Sequence, residues 1–154
     1  MDEVTVIAPG INGKMSEFNA ALGLLQLQYI DEAIDKRKII DTYYKNAFYK
    51  VKGIQCIQSG SDAELNYSYF PILVQPAYHS SRDKLYEKLK INGINARRYF
   101  YPLISEFPMY CSLPSAMSSN LPVATRIANE IICLPIYPDL TKNQMDLIVN
   151  VIKE

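Results

Sequence analysis

The 154 residues carry sixteen basic and sixteen acidic side chains and are 49% hydrophobic, which excludes a disordered chain and a broad basic field for nucleic acid. No apolar run approaches the ~20 residues of a membrane span, and the acidic opening Met1-Asp2-Glu3 lacks the basic start of a signal peptide. The expectation is one cytoplasmic domain with neither nucleic-acid nor membrane partner. Cys56, Cys111 and Cys133 have no CxxC spacing. They read as buried or half-buried free thiols in a reducing compartment, with no metal site.

In chain order, Val4, Val6 and Ala8 alternate before Pro9-Gly10 breaks the pattern. Ser16 reads as an N-cap, with Glu17 favourable in the first helical turn. Phe18, Ala21, Leu22, Leu25 and Tyr29 form one stripe, while Ala20, Leu24, Leu27, Asp31 and Ile34 form a second, apolar except at Asp31. Two stripes imply a helix packed against more than one body. The signal continues to about Val51, where Gly53 ends it, giving ~50 Å of helix at 1.5 Å per residue, with Asp35 as a possible break. Ile54 to Ile57 is a short strand candidate, and residues 58 to 66 are a polar loop. Tyr67 to Val74 is β-rich, with Pro71 marking an edge strand or bulge. Ser80 to Asp83 has capping-box spacing, and the helix that follows stops at Asn92-Gly93. Ile94 to Phe100 is the next strand candidate, and Tyr101 to Leu121 reads as a long loop. Pro122 starts a helix through Ile131, Ile132 to Ile136 is a short strand, and Thr141 starts the last helix with Met145, Ile148, Val149 and Ile152 inward.

This order predicts an α+β fold. A small, mostly antiparallel sheet forms from strands near Tyr69 to Val74, Asn95 to Tyr99 and Cys133 to Ile136. Helices from Ser81, Pro122 and Thr141 cover one of its faces.

The residues offer little chemistry of a self-contained enzyme. His79 is the single histidine and reads as a surface loop residue, because no nucleophile motif accompanies it. Metal and nucleotide motifs such as HExxH, GxGxxG and GxxxxGK[ST] are missing. Two places remain. Gly10 to Lys14, "GINGK", joins flexible backbone, an amide and a cation to a helix N-terminus, which suits an anion or a simple turn and cap. Asn95 to Leu103, "NARRYFYPL", offers Arg97, Arg98, Tyr99 and Tyr101 to an anionic or sugar-like ligand, or makes an edge strand with solvated arginines.

Together with the C-terminal stretch "PVATRIANEIICLPIYPDLTKNQMDLIVNVI", these two places resemble, in order, three segments of the DegT/DnrJ/EryC1/StrS aminotransferases. "GINGKMSEFNAALGLLQLQ" is similar to the family's G-x-N-x-[RK]-M-[ST]-E-x-x-A-A-x-G-x-x-Q-L. "GINARRYFYPL" is similar to its G-[IV]-x-x-R-x-[YF]-[FY]-x-P-[LI]. Lys14 stands where arginine is usual, and Ile104 takes the place of a histidine.

The resemblance implies the small C-terminal α+β domain of a fold-type I aminotransferase that aminates nucleotide-linked keto sugars. Residues 1–15 would be the remnant of the large-domain linker, 16–52 the long interdomain helix, and 53–154 the small domain. Asn12 and Lys14 would bind the pyridoxal 5'-phosphate (PLP) of the complete enzyme. Arg97, Arg98, Tyr99 and Tyr101 would bind substrate. The Schiff-base lysine would lie in an N-terminal PLP domain outside this segment, so the chain alone is expected to hold no PLP and to be inactive. The implied partners are that domain, a second subunit of a homodimer, a sugar nucleotide and an amino donor, usually glutamate. The alternative is a non-catalytic truncated homologue serving dimerisation or regulation.

Overall fold

The computed structural model describes residues 13–57 and 64–154. Asn12 and the Val4, Val6, Ala8 alternation lie outside them, as does most of the polar loop from residue 58. Among the described residues no helix is long and apolar enough to cross a membrane.

The chain divides after Glu32 into two units. The first contains α1 (Glu17–Leu27), whose N-cap Ser16 accepts a hydrogen bond from the Asn19 amide, as its position suggests. The helical stretch is interrupted once, at Gln28 and Tyr29 rather than Asp35. There the amides turn back to Leu25 O and Gln26 O, three residues earlier. No residue of α1 is buried; Phe18 is 79% exposed and Leu24 67%.

α2 (Ile30–Phe48) carries the chain into the second unit, where Ile40, Tyr44 and Phe48 enter the core. Gly53 turns the chain into β1 (Ile54–Cys56) with φ +78°. β2 (Phe70–Val74), α3 (Arg82–Ile91), α4 (Pro122–Glu130), β3 (Ile131–Leu134) and α5 (Lys142–Lys153) follow. The cap of α3 is Ser81, one residue beyond the first serine of the capping-box spacing, and Thr141 and Gln144 complete a capping box on α5.

The sheet is antiparallel in the order β1-β2-β3, pairing Ile72 with Ile132 and Phe70 with Leu134. Strand side chains alternate between faces. Phe70, Ile72, Val74, Ile132 and Leu134 join the main core with side chains of α2, α3 and α5. Pro71, Ile131 and Cys133 point to the other face, where Ala124, Ile127 and Ala128 of α4 meet them. The expectation that three helices cover one face is therefore corrected: α4 covers the second. Both β2 and β3 are in consequence apolar at nearly every position rather than at alternate ones.

Pro71 sits in the central strand, contrary to its reading as an edge or bulge. Cys133, opposite Pro71, exchanges both backbone bonds with Arg97 on its far side. The Pro71 nitrogen therefore points away from β3, and β1 ends its pairing at Ile72. A missing N–H there leaves no ladder bond broken.

The expected strand at Ile94 to Phe100 is one bridge, Arg97 with Cys133. A tight turn precedes it, the Ala96 amide donating to Ile94 O. The chain turns again at Tyr99 and Phe100. No second pair forms. The expected loop from Tyr101 to Leu121 carries three short 3-10 turns, at Ile104–Glu106, Pro114–Ala116 and Ser118–Asn120.

Candidate substrate-binding face

The end of α3 sets the start of this face. Asn92 caps the helix, Gly93 takes φ +73°, its amide donates to Lys90 O, and the Ile94 amide donates to Leu89 O at 2.9 Å. This is a Schellman turn with the buried Leu89 and Ile94 as its apolar contact. It delivers Asn95 to the free edge of β3. Paired backbone bonds of 3.0 and 2.7 Å between Arg97 and Cys133 then anchor the segment.

From that anchor the four candidate side chains divide into two groups. The Arg97 guanidinium donates to the Tyr99 hydroxyl and lies 5.5 Å from the Tyr99 ring centre. Tyr99 meets Tyr69 edge to face at 5.5 Å. Arg97, Tyr99 and Tyr69 line a cleft of about 510 Å³ together with Asn95, Tyr137 and Gln144. The Tyr69–Tyr99 pair also borders a second cleft of about 380 Å³ toward Phe100, Leu103 and Ile127.

Arg98 joins the second group. It donates to Asp83 Oδ1 at 2.9 Å and lies 4.5 Å from the Tyr86 ring centre and 5.2 Å from that of Tyr101. Arg82 approaches the same Tyr101 ring at 4.5 Å. These are cation–π distances. Arg82 is only 4% exposed and donates to Ala128 O at 3.1 Å. Its Nε stands 2.9 Å from Asp83 Oδ1 without the alignment of a hydrogen bond. Burial pulls the Arg82 guanidinium below its ordinary pKa, and the Asp83 carboxylate opposes that pull.

Arg82, Asp83 and Tyr86 were not singled out in the sequence. Their signal is positional: they occupy the first turn and a half of α3, and Arg82 and Tyr86 are four apart on one helix face. Nothing local says that this face meets a segment fifteen residues on.

Lys14 is exposed just ahead of the α1 N-terminus. A cation beside a helix N-terminus suits part of a phosphate site; Asn12 lies outside the described residues. None of the described lysines is buried. His79 is exposed, its ring against Tyr78 at 4.0 Å. Cys56 and Cys133 are half-buried and buried, but Cys111 is exposed in the long loop, unlike the expectation for all three. Burial raises the thiol pKa of Cys56 and Cys133, which disfavours the thiolate at both. Among the described residues no cluster of His, Cys, Asp and Glu could hold a metal ion.

The profile of the DegT/DnrJ/EryC1/StrS aminotransferase family matches residues 1–153. The chain belongs to this family. It is 52% identical over 152 residues to dTDP-4-amino-4,6-dideoxy-D-glucose transaminase of Escherichia coli, covering 99% of this chain and 40% of that protein. Identity to the transaminase of the same name from Shigella dysenteriae is 38%, covering all of this chain and 41% of the relative. The chain thus spans about 40% of the length of these relatives.

Among solved structures, S. venezuelae DesV in complex with a ketimine intermediate superposes with a TM-score of 0.84 at 21% identity, over 99% of this chain and 39% of DesV. That likeness shows the fold. DesI, solved in the presence of its TDP-sugar product, gives 0.84 at 27% identity, over 94% of this chain and 36% of DesI. The α+β fold is that of the matched portions of DesV and DesI. Family membership implies PLP as the cofactor of the complete enzyme.

Proposed function

We propose that this chain is the small C-terminal portion of a PLP-dependent aminotransferase that aminates a nucleotide-linked keto sugar, and that Arg97, Arg98, Tyr99 and Tyr101 form its face toward the sugar nucleotide. One observation carries the reading. Two arginines and two tyrosines project from five consecutive residues pinned to the edge of β3, and two of them, Arg97 and Tyr99, line a cleft of about 510 Å³. Guanidinium groups suit a diphosphate, and tyrosine rings with polar tips suit a sugar or a base. The 52%-identical transaminase favours a dTDP-linked 4,6-dideoxy sugar aminated at C4 as the product class. Ile104 is exposed and brings no polar group to this face.

The rest of the machinery comes from partners. PLP supplies the electron sink for moving an amino group from donor to keto sugar. Its lysine belongs to an N-terminal PLP domain. Asn12 and Lys14 serve the cofactor phosphate, across a homodimer. Residues 1–15 act as linker, 16–52 as the helical connection and 53–154 as the small domain, in a cytoplasmic enzyme using glutamate as donor. The chain alone is inactive.

The test joins this chain to the preceding portion of the E. coli relative and measures amination of a dTDP-linked keto sugar with glutamate. The joined protein should form amino sugar and show PLP absorbance, while the chain alone does neither. Turnover by the chain alone, or a well-folded fusion that binds PLP but no sugar nucleotide, would overturn the proposal.

A further inference from the structure

Arg82 stands out as a buried charge that no part of the proposed chemistry uses. A guanidinium 4% exposed loses most of its hydration. Its partners recover part of that cost: the Ala128 carbonyl near the end of α4, the Asp83 carboxylate, and the Tyr101 ring. These three lie on α4, on α3 and on the segment from Arg97 to Tyr101, so one side chain bridges all three. Asp83 Oδ1 is shared, 2.9 Å from both Arg82 and Arg98, and both guanidinium groups close on the Tyr101 ring, at 4.5 and 5.2 Å.

We propose that Arg82 is a positioning residue for the sugar-nucleotide face: anchored on the Ala128 carbonyl, it fixes the Tyr101 ring directly and holds, through Asp83, the acceptor that orients Arg98. This rests on the reading that Arg98 and Tyr101 contact substrate. Tyr101 is itself 43% exposed, and no hydrogen bond to its hydroxyl fixes the ring among the described residues. Its orientation therefore depends on the faces it presents to the two cations. Arginine suits the task because one planar group can donate to a carbonyl and lie against a ring together. A lysine can reach the carbonyl or the ring with its single ammonium, but cannot span both.

The experiment uses the 154-residue chain with its tyrosine rings labelled at the ε carbons, the Tyr101 signal being assigned by Tyr101→Phe. Arg82→Lys keeps the buried charge, Arg82→Met removes it, and Arg126→Ala is the surface control. In both Arg82 variants the Tyr101 signal should move toward that of a free tyrosine, while the Tyr110 and Tyr29 signals stay in place. Carried in the protein joined to the preceding portion of the E. coli relative and titrated with dTDP, both variants should bind about tenfold more weakly than the joined parent, and Arg126→Ala should bind as that parent does. Arg82→Lys should show this loss with its Tm nearly unchanged, which separates positioning from mere stability. An unmoved Tyr101 signal in Arg82→Lys would overturn the proposal, as would unchanged dTDP affinity. If the joined parent itself takes up no dTDP while Tyr101 still shifts, the sugar-nucleotide reading fails and Arg82 is left with a purely structural contact.

Discussion

Arg98 Nη1 and Asp83 Oδ1 meet at 2.9 Å across fifteen positions of sequence, tying the segment from Arg97 to Tyr101 to the first turn of α3. The carboxylate is mostly exposed, so for Arg98 alone the pair is worth little. Arg82 changes the balance, because it is buried and has no other carboxylate near it among the described residues. Asp83→Asn should therefore lower the unfolding free energy by about 1–2 kcal/mol, more than an ordinary surface ion pair. Urea unfolding checks this against Glu154→Gln, which removes the long Lys88–Glu154 pair at 4.0 Å, its carboxylate mostly exposed, and should cost under about 0.5 kcal/mol. Equal small effects for both would show that Arg82 does not depend on Asp83.

Two glycines with the same sign of φ should respond very differently to alanine. A Cβ on Gly53 would stand 2.0 Å from the Tyr78 nitrogen and 2.5 Å from its Cα, so the backbone itself must move. The Gln75 amide bonds to Gly53 O at 2.8 Å and holds the two segments together. Gly53→Ala should cost roughly 3 kcal/mol or more. At Gly93 the space is open and only the φ of +73° is strained, so Gly93→Ala should cost about 1 kcal/mol. Thermal unfolding of the two variants gives the ranking directly, and equal shifts would contradict it.

Much of this architecture was legible from local signals. Ser16, Ser81 and Thr141 mark helix starts by capping chemistry and Pro122 by its fixed φ at the first helical position, none of which needs tertiary context, and Asn92-Gly93 marks a stop just as locally. The misreadings concern pairing. Pro71 lies in a central strand because β1 happens to end beside it, a fact held in another part of the chain. Ile94 to Phe100 has strand composition but makes one bridge, because turns close on both sides of Arg97. The candidate face follows the same rule. Arg97, Arg98, Tyr99 and Tyr101 were visible as a cluster in sequence, whereas Arg82, Asp83 and Tyr86 join it through the packing of α3.

A triad joining Tyr43 of α2 to Lys142 and Asp146 of α5 gives a pH dependence of definite sign. Lys142 and the Tyr43 hydroxyl both donate to Asp146, and Lys142 lies 4.5 Å from the Tyr43 ring centre. Lys142 first, then Tyr43, holds the Asp146 carboxyl below its usual value of 3.8, while Asp146 holds Lys142 above its usual 10.5. For the carboxyl, the folded state binds its proton more weakly than the unfolded chain. Its contribution is full above the unfolded value and is lost as pH falls through the lowered one. For the ammonium, the contribution is full below 10.5 and is lost as pH rises through the raised value. Asp146→Asn should thus lower Tm by a small, constant amount across neutral pH, and the difference should vanish in strong acid. A difference that grew on acidification would have the wrong sign.

The first unit should make the isolated chain associate. Phe18, Leu24 and Leu27 are 79%, 67% and 65% exposed on a helix with no buried residue, and apolar patches of that kind drive self-association. Light scattering should show species larger than the monomer that dissociate in Leu24→Glu/Leu27→Glu, with the far-UV spectrum little changed. A clean monomer for the parent at high concentration would remove the argument.

The central claim, that this segment receives the sugar nucleotide of an aminotransferase, is tested most directly by steady-state kinetics of the joined protein carrying Arg98→Ala. A charge-assisted hydrogen bond to a phosphate is worth about 1.5–3 kcal/mol, or roughly a ten- to hundredfold change in binding. The account predicts that KM for the dTDP-linked keto sugar rises by that factor, while KM for glutamate and the PLP absorbance stay as in the parent. An unchanged sugar-nucleotide KM in a folded, PLP-loaded protein would contradict it.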